Sequence, residues 1–114
     1  MAGPALVRQL ALALPGAIEA PHFEAASFRV KGKIFATLGE KEGQAVIKLT
    51  PEQQEMMTSA EPGIFERIPN AWGLKGWTWM RLKAADRKTV ESALRTAWGN
   101  VTAKAAPKRR KVTR

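Results

Sequence analysis

The 114 residues suffice for one core and leave no room for a second domain, and 45% hydrophobic with 25% charged residues excludes a wholly disordered chain or a fibre. With no Cys, no Tyr, one His and a single Asp, the sequence offers no disulfide, thiolate metal site or cysteine nucleophile and few parts for acid–base chemistry. The formal charge of +9 is uneven: six of the 19 cations and none of the ten acids lie in residues 101–114, so a mildly basic body carries a strongly basic end that attracts polyanions.

Pro4 opens a segment in which Leu6, Val7, Leu10, Ala11 and Leu14 recur at helical spacing, and Pro15-Gly16 closes it, which predicts an amphipathic helix over residues 4–14. Its apolar run is far shorter than the roughly 20 residues needed to cross a bilayer and has no basic segment before it. Neither a membrane span nor a secretion signal is expected, and a Cys-free chain suits the cytoplasm. Ile18–Phe23 reads as a short strand broken at Pro21. From Ser27 the period becomes two: Phe28 and Val30 alternate with Arg29 and Lys31, and beyond Gly32 the residues Ile34, Ala36 and Leu38 alternate with Phe35 and Thr37. This is the pattern of a hairpin. If Val30 and Ile34 share the core face, they pair across a three-residue loop, Lys31-Gly32-Lys33, and Phe28 faces Ala36.

Residues 39–43 then form a turn into a strand at Gln44–Leu49, with Ala45, Ile47 and Leu49 inward. Thr50-Pro51-Glu52-Gln53 has the form of a capping box with Pro at the first helical position and predicts a helix to about Ser59. Glu61–Gly76, rich in Pro and Gly, reads as irregular, with one helical turn at Ile64–Glu66. Trp77–Leu82 alternates again, placing Thr78, Met80 and Leu82 on one face and Trp77, Trp79 and Arg81 on the other. Asp86 caps a last helix that carries Val90, Ala93, Leu94, Ala97, Trp98 and Val101 at helical spacing. Beyond Thr102 the period stops, so residues 1–102 form the domain and 103–114 a disordered basic tail. The order of elements predicts an α+β fold, an antiparallel sheet with helices packed on one face.

That architecture has a chemical consequence. If the helices cover the core face, then Arg29, Lys31, Phe35, Thr37, Val46, Lys48, Trp77, Trp79 and Arg81 project from the other. Aromatic planes stack on bases and cations meet phosphate, which is how several small sheet domains hold single strands. The competing expectation is that Ile68–Gly76 covers Trp77 and Trp79 and makes them core. Lys31 and Lys33 at the hairpin tip lack the spacing of a P-loop and are placed either to touch a phosphate or to stay solvated. The arm Lys108-Arg109-Arg110-Lys111 binds phosphate through counterion release or serves only as a solubilising terminus. His22 with Glu19 and Glu24 is a poor ligand set, and no nucleophile elbow surrounds Ser27, Ser59 or Ser92. No catalytic residue, metal or cofactor is expected.

Pro21-His22-Phe23, the run Ser27-Phe28-Arg29-Val30-Lys31-Gly32-Lys33-Ile34-Phe35-Ala36-Thr37-Leu38, the junction Lys48-Leu49-Thr50-Pro51-Glu52 and Gly76-Trp77-Thr78-Trp79-Met80-Arg81-Leu82 resemble the MmcQ/YjbR family of small bacterial proteins. The resemblance covers about residues 5–100 and omits the basic tail. It implies a compact domain similar to the bacterial frataxin (CyaY-like) fold and a DNA-binding role, with no catalytic residues. Many members carry an Asn-Lys-x-His run before the Trp. This chain has Gly73-Leu74-Lys75-Gly76 there, so contacts made by that Asn and His do not carry over. Frataxin-type iron binding is not implied either, since it depends on an acidic surface.

The expectation is a non-enzymatic, weakly sequence-specific DNA-binding protein, monomeric, with DNA rather than RNA as partner and no membrane. Its contacts are Arg29, Lys31, Lys33, Lys48, Trp77, Trp79 and Arg81, with Lys108, Arg109, Arg110 and Lys111 adding phosphate contacts. The alternative is a protein-interaction or small-ligand module that uses the same exposed face.

Overall fold

A computed structural model describes residues 3–22, 25–38 and 43–102; the basic tail, Phe23 and most of the turn after Leu38 lie outside the described residues. Helix α1 spans Pro4–Leu12, with Pro at its first turn, and buries Val7, Leu10 and Ala11. Strands β1 (Ile18–His22), β2 (Ala25–Val30), β3 (Lys33–Leu38) and β4 (Gln44–Lys48) follow. Pro21 does not break β1, because that strand lies at the sheet edge, where a missing N–H costs no ladder bond. Helix α2 (Pro51–Ala60) starts with the expected capping box between Thr50 and Gln53.

The segment expected to be irregular contains two elements, strand β5 (Phe65–Arg67) and the short helix α3 (Ala71–Leu74). The residues taken for a helical turn are thus mostly strand. Asn70 starts α3, its carboxamide oxygen accepting from the Trp72 N–H at 2.8 Å. Strand β6 (Trp77–Arg81) and helix α4 (Arg87–Thr102) complete the domain, and Asp86 caps α4 by accepting from the Thr89 N–H at 2.8 Å. The sheet has six strands in the order β1-β2-β3-β4-β6-β5, every adjacent pair antiparallel. The fold is α+β. Helix α1 packs on α4, α4 runs across β2, β3 and β4, and α2 rests against β5. Between them lies one core that includes Phe28, Phe35, Ile47, Leu49, Met80, Leu82 and Leu94. Among the described residues no helix is long and apolar enough to cross a membrane.

The β2–β3 hairpin corrects the expected loop. Val30 pairs with Lys33, so the loop is Lys31-Gly32 alone, and both residues have positive φ, 55° and 79°, the signature of a type I′ turn. Phe28 still faces Ala36. The extra residue lies instead in β3, where Phe35 is left without a partner as a bulge opposite the step from Phe28 to Arg29. Two side chains therefore exchange faces relative to the expectation. Ile34 pairs with Arg29 and turns outward, while Phe35 and Ala36 both enter the core, each fully buried. The bulge reconciles a turn that points Phe35 inward with a strand that must also bury Ala36 and Leu38.

Candidate nucleic-acid interface

Register assigns the face of the sheet that α1 and α4 do not cover. Arg29 pairs with Ile34, Thr37 with Val46, Val46 with Trp79, Lys48 with Trp77 and Gln44 with Arg81, and directly paired residues share a face. Arg29, Thr37, Val46, Lys48, Trp77, Trp79 and Arg81 lie where the alternation placed them, while Ile34 takes the place on this face that was expected of Phe35. The same register separates them along the strands. Arg29, Ile34, Lys48 and Trp77 gather at the end of the sheet that carries the Lys31-Gly32 turn, with Lys31 and Lys33 exposed at its tip. Arg81 lies four residues along β6 from Trp77, roughly 13 Å away at strand rise.

The two ends differ electrostatically. Arg81 donates to the Glu66 carboxylate on β5 and to the Pro62 carbonyl at 3.3 Å. Its charge is matched. Trp79 sits between Val46 and Glu66, partly buried beside that acid. At the other end Arg29 meets neutral acceptors, Ser27 Oγ at 3.0 Å and the Pro21 carbonyl at 3.4 Å. Lys48 donates from Nζ to the Lys75 carbonyl at 2.7 Å and lies over the Trp77 ring, 5.3 Å from its centroid. Among the described residues neither Arg29 nor Lys48 has a carboxylate partner. Partial burial, and then the nearby Lys75 charge, lower the Lys48 pKa from its ordinary value.

Trp77 is neither open platform nor closed core. Helix α3 lies over its end of the sheet, and Trp72 meets Trp77 edge to face, centroids 6.3 Å apart at 71°. Ile34, Thr37, Val46, Ile68, Trp72 and Trp77 line a groove of about 220 Å³. Trp72 itself is 59% exposed, and Lys75 Nζ lies 5.6 Å from its ring centroid. So the Pro/Gly-rich segment does reach over Trp77, as one reading anticipated, but as the wall of a groove rather than as a lid.

What holds this wall was not visible in the sequence. Gln54 on α2 is buried, and its Nε2 donates to the Gly73 carbonyl at 3.0 Å, the Trp77 carbonyl at 3.2 Å and Thr78 Oγ1 at 3.0 Å. Two of those acceptors are carbonyls, which accept only, so the nitrogen must be the atom that faces them. The amide thus joins α2 to the start of β6 and to α3. Backbone contact makes two glycines obligatory here: a Cβ on Gly73 would lie 1.6 Å from the Ile68 oxygen, and one on Gly76, at φ +108°, 1.8 Å from the Leu49 oxygen. A Gln in an amphipathic helix carries no signal of such a role. The one signal that could have found α3 is Asn70, a residue type favoured at helix starts, ahead of Trp72 in a segment expected to be irregular.

Of the expected contacts, the fold brings together Arg29, Lys31, Lys33, Lys48 and Trp77, sets Trp79 apart in mid-sheet and pairs Arg81 off. Trp72, Ile68 and Lys75 join the group from α3 and its flanks. Lys108, Arg109, Arg110 and Lys111 lie outside the described residues.

A search among curated proteins gives no match. The crystal structure of Deinococcus radiodurans protein DR2400, which carries a domain of the DUF419 family model, is similar at a TM-score of 0.71 and 21% identity, over 90% of this chain and 80% of that one. At such identity the likeness concerns the fold. The family model for YjbR matches residues 12–100, a span that contains all six strands, α2, α3 and every member of the groove. The chain therefore belongs to the YjbR family.

Proposed function

We propose that this protein is a non-enzymatic, weakly sequence-specific DNA-binding protein whose sheet contributes contacts at one end of its uncovered face and whose basic tail adds phosphate contacts. The observation that supports this reading is the pair Lys48 and Lys75 at the Trp77 and Trp72 rings, with Arg29 on β2 and the Lys31 and Lys33 tip at the same end of the sheet and no carboxylate partner among the described residues for Arg29 or Lys48. Unmatched cations beside aromatic rings are the elements of a site that tracks a phosphate backbone and accepts bases. Tail residues Lys108 to Lys111 contribute by counterion release, without sequence preference.

Titration of short DNA strands at several salt concentrations tests this. Lys48→Gln and Arg29→Gln should each weaken binding and reduce the slope of log affinity against log salt by about 0.7. Arg81→Gln, which removes a cation already paired with Glu66, should change neither. Deleting residues 103–114 should lower affinity and slope further. Binding without a salt slope, or an Arg81→Gln loss equal to that of Lys48→Gln, would overturn the assignment. The apolar lining of the groove favours a second reading, a site for an uncharged small ligand or a partner side chain. In that case affinity would be insensitive to salt and to Lys48→Gln.

A further inference from the structure

Resting on the DNA-binding reading, we infer that the groove beneath α3 seats one unpaired base of a single strand, with the flanking phosphates held by Lys48 and Lys75. Its volume of about 220 Å³ is the space of roughly seven liquid waters, enough to admit one base. Two indole rings inclined at 71° and the side chains of Ile34, Val46 and Ile68 form the walls, and Thr37 contributes the one hydroxyl among the lining residues. Such walls accept any flat ring and offer little hydrogen-bonding pattern, which matches weak sequence preference.

Charge identifies the occupant further. Among the described residues no carboxylate lines the groove, and the ammonium groups of Lys48 and Lys75 stand at the rings that form its walls, 5.3 Å and 5.6 Å from the Trp77 and Trp72 centroids. Lys48 engages one carbonyl, which leaves further N–H donors for an anion. An apolar ring next to two cations fits a base that remains attached to its phosphates. A paired base cannot enter, because its edge and both its faces are occupied within the duplex, so the site requires a strand whose base can be splayed out. Arg29 beside Ile34, and Lys31 and Lys33 at the adjacent tip, continue the cationic line along which the next phosphates would run.

The test compares three dye-labelled ligands on the full chain at fixed salt: a ten-nucleotide thymidine strand, the same sugar–phosphate strand without bases, and a duplex of equal length. The base-bearing strand should bind about 5- to 150-fold more tightly than the abasic one, the stacking contribution of a single base. Trp72→Ala removes one wall, and because Trp72 is 59% exposed the variant should fold. Ile34→Phe fills the groove from the opposite side. Both should bring the ratio of base-bearing to abasic affinity close to one. Equal affinity for the two strands in the unmodified chain, a ratio that survives both substitutions, or tighter binding of the duplex overturns the base seat. If Lys48→Gln weakens both strands equally while the strands themselves bind alike, the base seat alone fails. If neither strand shows a salt slope or responds to Lys48→Gln, the DNA-binding reading fails with it.

Discussion

Gln54→Leu isolates the device that fixes the groove wall, because leucine nearly preserves volume and removes only the amide. The two N–H groups of Gln54 are shared among three acceptors, and each acceptor keeps another partner when they are lost. The Gly73 carbonyl still accepts from the Gly76 N–H at 3.0 Å, the Trp77 carbonyl from the Ile68 N–H at 3.4 Å, and the Thr78 hydroxyl still donates to the Gly76 carbonyl at 2.9 Å. No acceptor is wholly orphaned, so the expected cost is that of two to three buried hydrogen bonds, about 2–3 kcal/mol. For a domain of this size that lowers Tm by about 8–20 °C. Gln54→Glu carries a sharper signature. A carboxylate would face three acceptors with nothing to donate, whereas the protonated acid can donate one bond, so the folded state raises this carboxyl's pKa. The stability held by the protonated form is present below the unfolded pKa and lost as pH rises through the folded one. Thermal melts followed by circular dichroism from acid to neutral pH give both quantities. A Tm for Gln54→Leu within about 2 °C of the parent, or a Gln54→Glu deficit that does not grow with pH, would refute the account of Gln54 as the link between α2, α3 and β6.

Phe35→Ala should cost about 3–5 kcal/mol in urea unfolding, since the bulge buries Phe35 completely, whereas a ring on the uncovered face would be nearly dispensable. Gly76→Ala should destabilise by about 3 kcal/mol or more, from the combined strain of a positive φ and a Cβ driven against the Leu49 oxygen, and Gly32→Ala, with open space around it, by much less. Lys48 sets a pH dependence: its folded-state pKa lies below the unfolded value, so the folded chain binds fewer protons there and stability rises with pH from the lowered value to the ordinary lysine one. A bound phosphate favours the ammonium, so DNA affinity should fall as pH rises through the same window, and Lys48→Gln should flatten that fall.

Much of the architecture was legible in the sequence because it rests on local rules. Pro4 and Pro15-Gly16 framed α1, Thr50 to Gln53 wrote out the capping box, Asp86 marked α4, and strict alternation in Trp77–Arg81 and Gln44–Lys48 put Met80 and Ile47 inside with Trp77 and Lys48 outside. The misassigned residues sit where one count admits two placements. Pairing Phe28 with Ala36 requires one extra residue in β3 or its loop, and nothing local says which. A loop placement keeps Ile34 inside and a bulge keeps Phe35 inside. The decision falls to packing, because an aromatic ring buried against α4 and the sheet outweighs the aliphatic side chain it displaces.

The candidate site divides in the same way. Which side chains leave the uncovered face follows from period two and one covered side, and that much the chain alone determined: Arg29, Lys48, Trp77, Trp79 and Arg81 share a face. How they group was decided only in three dimensions. Strand order sets Lys48 beside Trp77, β5 adds at the far end of the sheet, bringing Glu66 to Arg81, and α3 folds back to stand Trp72 against Trp77. Each of these depends on a contact between segments distant in sequence, Gln54 with Gly73 or Gly76 with Leu49, whose strength lies in a hydrogen bond or a close approach that a one-dimensional pattern of polar and apolar residues does not encode.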